Sequence, residues 1–189
     1  MMRNRDWGAV AYLSQAIGQQ SEVQINASSY YSGGSTNIND VYTTNVNMST
    51  TGNPNGIYDM SGCGEEFVAG YTDMGINDGS SVYSADPKYK DVFKAPTIPG
   101  DVPNAIIENK NKKGMAVSET CNPSMLYMFG GYLGWNDDIV MLPTSAGMYI
   151  TRGGDMSHTN GIAGLYFVYA RSQVGAGYND SRTVIVNLK

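Results

Sequence analysis

Residues 56–71 constrain the chain most: Gly-Ile-Tyr-Asp-Met-Ser-Gly-Cys-Gly-Glu-Glu-Phe-Val-Ala-Gly-Tyr. A short apolar-aromatic run (Ile57, Tyr58, Met60) ends at Ser61-Gly62, and a second (Phe67, Val68) follows two adjacent carboxylates, Glu65 and Glu66. Gly62 and Gly64 open backbone conformations that other residues avoid. Two apolar runs joined by a glycine-bracketed turn predict a crossing of the core, not a surface linker.

A chain of 189 residues suits one domain with a sizeable core. Glycine (23) and tyrosine (14, against 4 Phe and 2 Trp) dominate the unusual composition. With abundant Asn and Ser, this predicts a loop-rich α+β domain of mostly antiparallel strands with a few short helices. Tyrosine beside Ser, Gly and Asn is also the composition of adaptable binding surfaces; half-buried strand positions account for it equally well. Net charge is −5, and only 15% of residues are charged. The one lysine cluster, Lys110, Lys112 and Lys113, lies beside Glu108, so no nucleic-acid partner is expected. No apolar run approaches the ~18 residues of a membrane span, so no direct membrane insertion is expected. The opening Met1-Met2-Arg3-Asn4-Arg5 is followed by Asp6 and polar residues, which is not a signal-peptide pattern.

Taken in order, residues 4–17 predict a helix capped by Asn4 or Asp6, with a stripe of Trp7, Val10, Leu13 or Ser14, and Ile17. A short strand is expected at 21–25, then a long polar loop over 26–55 with only small local pairings. Residues 86–93 read as a short helix, with Asp86 as cap and Pro87 in the first turn. A second short helix is expected at 105–108, a turn at 135–138 and a strand edge at 139–142. Strands are expected at 148–151, 163–171 and 182–188, the last two from period-two alternation.

Three of these stretches carry a family resemblance, and a fourth agrees with it by position. Tyr58-Asp59-Met60-Ser61-Gly62 resembles the Tyr-Asp-Met-x-Gly element of the formylglycine-generating enzyme (sulfatase-modifying factor) superfamily, whose fold is a variant of the C-type lectin fold. Asp6-Trp7-Gly8-Ala9-Val10-Ala11-Tyr12 resembles that family's Trp-bearing helix, Thr151-Arg152-Gly153-Gly154 resembles its Arg-Gly-Gly turn, and Ser181-Arg182-Thr183-Val184 sits where its closing strand is expected. The Trp-bearing helix and the Tyr-Asp-Met-Ser-Gly segment also resemble those of bacterial surface or pilin-like proteins. The resemblance implies one domain over 1–189. The family's domain normally opens with strands upstream of that helix, so either the domain is reduced or the chain is the C-terminal part of a longer protein.

The resemblance also sets expectations for chemistry. The catalytic members oxidise a cysteine in a partner protein and use a copper-binding cysteine pair after Arg-Gly-Gly; soft thiolates suit Cu(I). Residues 155–171 contain no cysteine, so a non-catalytic role is expected. Cys63 and Cys121 form either one disulfide or two buried thiols. The family's Asn-x-Trp-Glu element can help bind calcium; Glu66 survives here, while Cys63 replaces the Asn. Two readings of Glu66 stand: a weak calcium ligand, or a buried partner of Arg152 or Arg182. His158, the one histidine, cannot build a His-rich metal site, and its closeness in sequence to Ser157 and Asp155 does not make a triad.

Lectin-like relatives bind ligands between the Arg-Gly-Gly turn and the last strand. The implied ligand-binding residues are Asp155, His158, Asn160, Tyr166, Tyr169, Arg171, Gln173, Tyr178 and Asn179. The expected role is a protein- or glycan-binding module, an adhesin displayed on a bacterial cell or phage virion, its export signal outside this chain. The alternatives are a divergent protein-modifying oxidase and a structural module of a pilus-like or fibre-like assembly.

Overall fold

The computed structural model describes residues 1–16, 37, 39–62, 64–75, 81–127, 130–154, 164–172 and 179–181. The strands expected at 21–25 and 182–188 lie outside them.

Helix α1 spans Asn4–Ala16. Its first turn is closed by Asp6, whose carboxylate accepts the Arg3 backbone N–H at 3.2 Å, the reciprocal half of a capping box. Asn4 is not a cap. It is buried inside the helix and donates to the Met115 carbonyl at 3.0 Å. The buried face runs Asn4, Trp7, Gly8, Ala11, Ser14, rotated from the expected stripe, so that Leu13 is exposed. The rotation brings Gly8 against the backbone at Gly114 and Met115. No helix among the described residues is long and apolar enough to cross a membrane.

Residues 40–58 form the expected loop with one small pairing, Ser49 with Tyr58. Strand β1, Glu65–Thr72, follows, and every residue but Phe67 is buried. The apolar run therefore starts two residues earlier than its hydrophobicity indicates. Glu65 is a strand position because its carboxylate meets Arg171 and Thr151 inside the fold, and Glu66 follows it in the same strand.

The helix expected over 86–93 is corrected. After the short turn α2 (Ser81–Ser84), Asp86 caps and Pro87 begins a 3-10 turn that ends at Tyr89. Asp91–Phe93 is strand β2, parallel to β1 in the register Tyr71 to Val92. Pairing with the β1 backbone outweighs one further helical turn, which would be short and marginal in any case. Helix α3 spans Val102–Glu108, capped by Asp101 with Pro103 in its first turn. The remaining strands are β3 (Tyr132–Leu133), β4 (Ile139–Val140), β5 (Met148–Arg152), β6 (Val168–Ser172) and β7 (Asn179–Ser181).

The result is α+β with one mixed sheet in the order β2-β1-β5-β6-β4-β3, and β7 also pairs with β1. Among the described strands, β1–β2, β1–β7 and β4–β6 are parallel, and β1–β5, β5–β6 and β3–β4 antiparallel. The mostly antiparallel sheet expected from the sequence is thus half parallel by pairing, since two chain segments return beside β1 in its own direction.

Alternation gives the sheet two faces. One carries Glu66, Val68, Ile150, Arg152, Val168 and Ala170. It packs on α1 around Trp7, Met60, Leu142 and Tyr166, the main core. The other carries Glu65, Phe67 and Tyr71 of β1, Tyr149 and Thr151 of β5, and Tyr169 and Arg171 of β6. Two smaller clusters lie there: Tyr71 with Tyr149, and Phe167 with Met141 and Ile139.

Candidate functional site

The three motifs of the sequence meet at one point of the main core. The Gly153 carbonyl accepts the Gly62 N–H at 3.0 Å and the Gly164 N–H at 3.1 Å. Gly153 has φ 82°, and a Cβ there would stand 3.1 Å from the Met60 carbonyl oxygen and 3.3 Å from the Trp7 ring; a side chain would meet both strain and contact. The Trp7 indole N–H donates to the Leu165 carbonyl at 2.8 Å.

Arg152 lies in the middle, fully buried, 5.5 Å from the Trp7 ring centroid. Its guanidinium donates to the carbonyls of Ala116 (2.9 Å) and Leu165 (3.2 Å) and to the Asn4 amide oxygen (3.3 Å). Burial pulls this guanidinium down to about 9, against the opposing pull of the Glu119 and Asp138 charges. Glu119 closes a backbone nest: it accepts the N–H groups of Met115 (2.7 Å), Ala116 (2.8 Å) and Val117 (3.1 Å) and the Tyr12 hydroxyl (2.9 Å). Nests of this kind bind anions; here the anion is the chain's own carboxylate. Asp138, also buried, accepts the Tyr166 N–H at 2.8 Å. The Trp7 indole, the Arg152 Nη groups and the Glu119 carboxylate are thus bonded within the chain itself.

The opposite face is arranged differently. Glu65 is almost fully buried and accepts two hydrogen bonds from Arg171, at 2.9 and 2.5 Å, and one from the Thr151 hydroxyl at 2.8 Å. Paired fork-on-carboxylate geometry is the strongest and most directional ion pair available to arginine. The Arg171 side chain stays 34% exposed and lies 4.6 Å from the Tyr169 ring centroid, within cation–π range. Tyr169 in turn stacks on Phe167, with centroids 5.9 Å apart and planes 8° from parallel. Three strands therefore hold one guanidinium and one phenol ring in fixed orientation at a partly open surface.

Of the expected ligand-binding residues, Tyr169 and Arg171 come together here. Tyr166 does not join them. It is fully buried, with its hydroxyl donating to the Ala11 carbonyl at 3.3 Å. The expected strand at 163–171 begins only at Val168, and Leu165, Tyr166 and Phe167 form a buried turn before it. Asn179 belongs to β7 through its backbone. Asp155, His158, Asn160, Gln173 and Tyr178 lie outside the described residues. Glu65 and Thr151 were not among the expected residues. The signal for Glu65 was available: a carboxylate two positions before Phe67 in a buried strand requires a cation.

Glu66 is buried on the core face, directly opposite Arg152 in register. Among the described residues, no group of three or more His, Cys, Asp or Glu side chains gathers as a metal site. Cys121 is a free, half-buried thiol, pushed up to about 12 by burial; Cys63 lies outside the described residues. No family model, no curated protein and no solved structure matches this chain.

Proposed function

We propose that this chain is a non-catalytic binding module, a loop-rich relative of the formylglycine-generating-enzyme and C-type-lectin folds, displayed on a cell or virion surface. Its recognition surface is the sheet face that carries Tyr169 and Arg171. One observation carries the reading: Arg171 is locked by buried Glu65 and laid over Tyr169, yet a third of it remains in solvent. Aromatic and arginine side chains held rigid before binding are the anchors on which affinity concentrates. The partner class is a protein or glycan with a polar, flat epitope.

The test is a glycan and surface-protein array, followed by titration of any ligand found. Tyr169→Ser and Arg171→Lys are expected to weaken binding about tenfold or more when titrated well below each variant's unfolding transition, since both also loosen the packing and ion pair of this face. Tyr166→Phe, a change inside the core, is expected to leave affinity unchanged. Binding that survives both Tyr169→Ser and Arg171→Lys would place recognition elsewhere and end this reading. Stoichiometric copper in the purified protein would end it in favour of the oxidase.

A further inference from the structure

The sheet does not stop at β3. Residues 125–127 run antiparallel beside it, with Leu126 opposite Tyr132. The Tyr127 N–H donates to the Gly131 carbonyl at 2.7 Å, and the Leu133 N–H to the Met125 carbonyl at 3.0 Å. These two bonds flank Leu126, which therefore holds the non-hydrogen-bonded site of the pair, with its own N–H and C=O directed away from β3. Among the described residues, neither group has a hydrogen-bond partner. Leu126 is also the most exposed large apolar residue among those described, at 65%, and Met125 beside it is exposed as well.

Folded proteins defend such edges with charged side chains, prolines, bulges or a covering segment. The two ends of this sheet differ in that respect. Near β2, the Asn109 amide takes both backbone groups of Lys94: its oxygen accepts the Lys94 N–H at 2.8 Å and its nitrogen donates to the Lys94 carbonyl at 2.7 Å. Asp91 of β2 accepts the Arg5 N–H at 2.8 Å, so α1 lies against that strand too. At the Leu126 end there is no charge between Glu119 and Asp137. Pro123 stops the strand short of Met125 and leaves the Leu126 N–H in place.

These features select the occupant. Two antiparallel strands are related by a two-fold axis, so an edge of this kind can satisfy itself: each Leu126 gives its N–H to the carbonyl of the other. The chain carries −5, and copies of it repel one another; an uncharged edge is where two of them meet without like charges face to face. A partner chosen by charge finds none to read along this strand. The blunted β2 end gives the pairing no second edge through which to grow. We propose that residues 125–127 pair with the same residues of a second copy, in an antiparallel register centred on Leu126, and that the product is a closed dimer.

Sedimentation velocity from about 10 μM to about 1 mM, the range of a weak interface, is expected to show a reversible monomer–dimer equilibrium. Leu126→Lys sets two ammonium groups opposite each other and is expected to raise the dissociation constant about tenfold or more, with circular dichroism unchanged because the position is exposed. The register has its own test. Hydrogen-bonded antiparallel partners lie about 5.5 Å apart at Cα, within the span of a disulfide. Mild oxidation of Leu126→Cys is expected to link the two substituted positions, as read by peptide mass spectrometry, and Ser124→Cys to link far less. A chain that stays monomeric throughout would overturn the proposal, as would a Leu126→Lys dimer of parental strength. Growth beyond the dimer, or a dimer in which Leu126→Cys does not crosslink, would overturn it equally.

Discussion

Gly8 shows how a single position settles where a helix lies. It occupies the interior of α1, where glycine is unfavourable by about 1 kcal/mol relative to alanine. A methyl group at Gly8 would stand 2.5 Å from the Gly114 carbonyl oxygen and 2.7 Å from the Met115 carbonyl carbon, both backbone atoms. Overpacking of this kind costs roughly 1–3 kcal/mol, and backbone neighbours yield less than side chains do. Gly8→Ala is therefore expected to lower stability in urea unfolding, against the sign that helix propensity alone gives. Tyr12 offers a second test at this scale. Its hydroxyl donates to Glu119, and burial together with the Glu119 charge pushes its pKa up. An acid raised in this way keeps its proton in the folded chain after the unfolded chain has begun to lose it. Its contribution is complete below the unfolded value of 10.0 and is lost as pH rises beyond that. Parent and Tyr12→Phe stabilities are thus expected to draw together as pH rises above about 10, the parent falling more steeply. Parallel curves would show that Tyr12 titrates as it does in the unfolded chain.

Strand β1 joins the two faces and is the element on which the proposed function depends. Removing the Glu65 charge leaves Arg171 without its buried partner and the Thr151 hydroxyl without a charged acceptor. Breaking a fully buried pair costs roughly 3–5 kcal/mol; Arg171 is one-third exposed and regains water, so Glu65→Gln is expected to cost about 2 kcal/mol. The same variant should weaken ligand binding, because the guanidinium would no longer be fixed over Tyr169. Thr151→Val, which removes one neutral donor, is expected to cost about 1 kcal/mol and to leave Arg171 in place. Equal losses from both variants in a urea titration would assign the effect to packing and not to the ion pair. Elements with strong local signals were legible in the sequence: α1 through Asp6 and Trp7, though not its exact buried stripe, the Asp86-Pro87 turn, and β5 ahead of Arg152-Gly153-Gly154. Those decided by distant partners were not. Asp91–Phe93 became a strand only because β1 lies beside it, and Leu165–Phe167 alternated in sequence yet became a buried turn once Asp138 captured the Tyr166 N–H. Likewise, the pairing of Glu65 with Arg171 joins positions 106 residues apart, beyond the reach of any local pattern.

At the scale of the whole molecule, the question is whether these elements open together. Cys121 reports on this, since it packs against the core cluster that also contains Trp7 of α1, Val68 of β1, Ile150 of β5 and Val168 of β6. Burial alone moves its thiol from 9.0 to about 12. At mildly alkaline pH the thiolate is then roughly a thousandfold scarcer than in the unfolded chain, and only the thiolate is alkylated. Iodoacetamide labelling of Cys121, followed by peptide mass spectrometry to separate it from Cys63, is accordingly expected to be slow in buffer and to accelerate through the urea transition. If the main core unfolds as one unit, the labelling midpoint should coincide with the loss of far-ultraviolet circular dichroism. The backbone around Cys121 is tied down by the Asn122 N–H to the Leu133 carbonyl at 2.8 Å and the Leu133 N–H to the Met125 carbonyl at 3.0 Å. This segment is joined to the sheet through the short β3–β4 pairing at its edge, whereas the β1–β5–β6 ladders run through the centre of the sheet. Labelling at lower urea than the loss of dichroism would therefore mean that residues 121–133 open as a separate unit, leaving the Trp7–Arg152 hub and the Tyr169–Arg171 face standing.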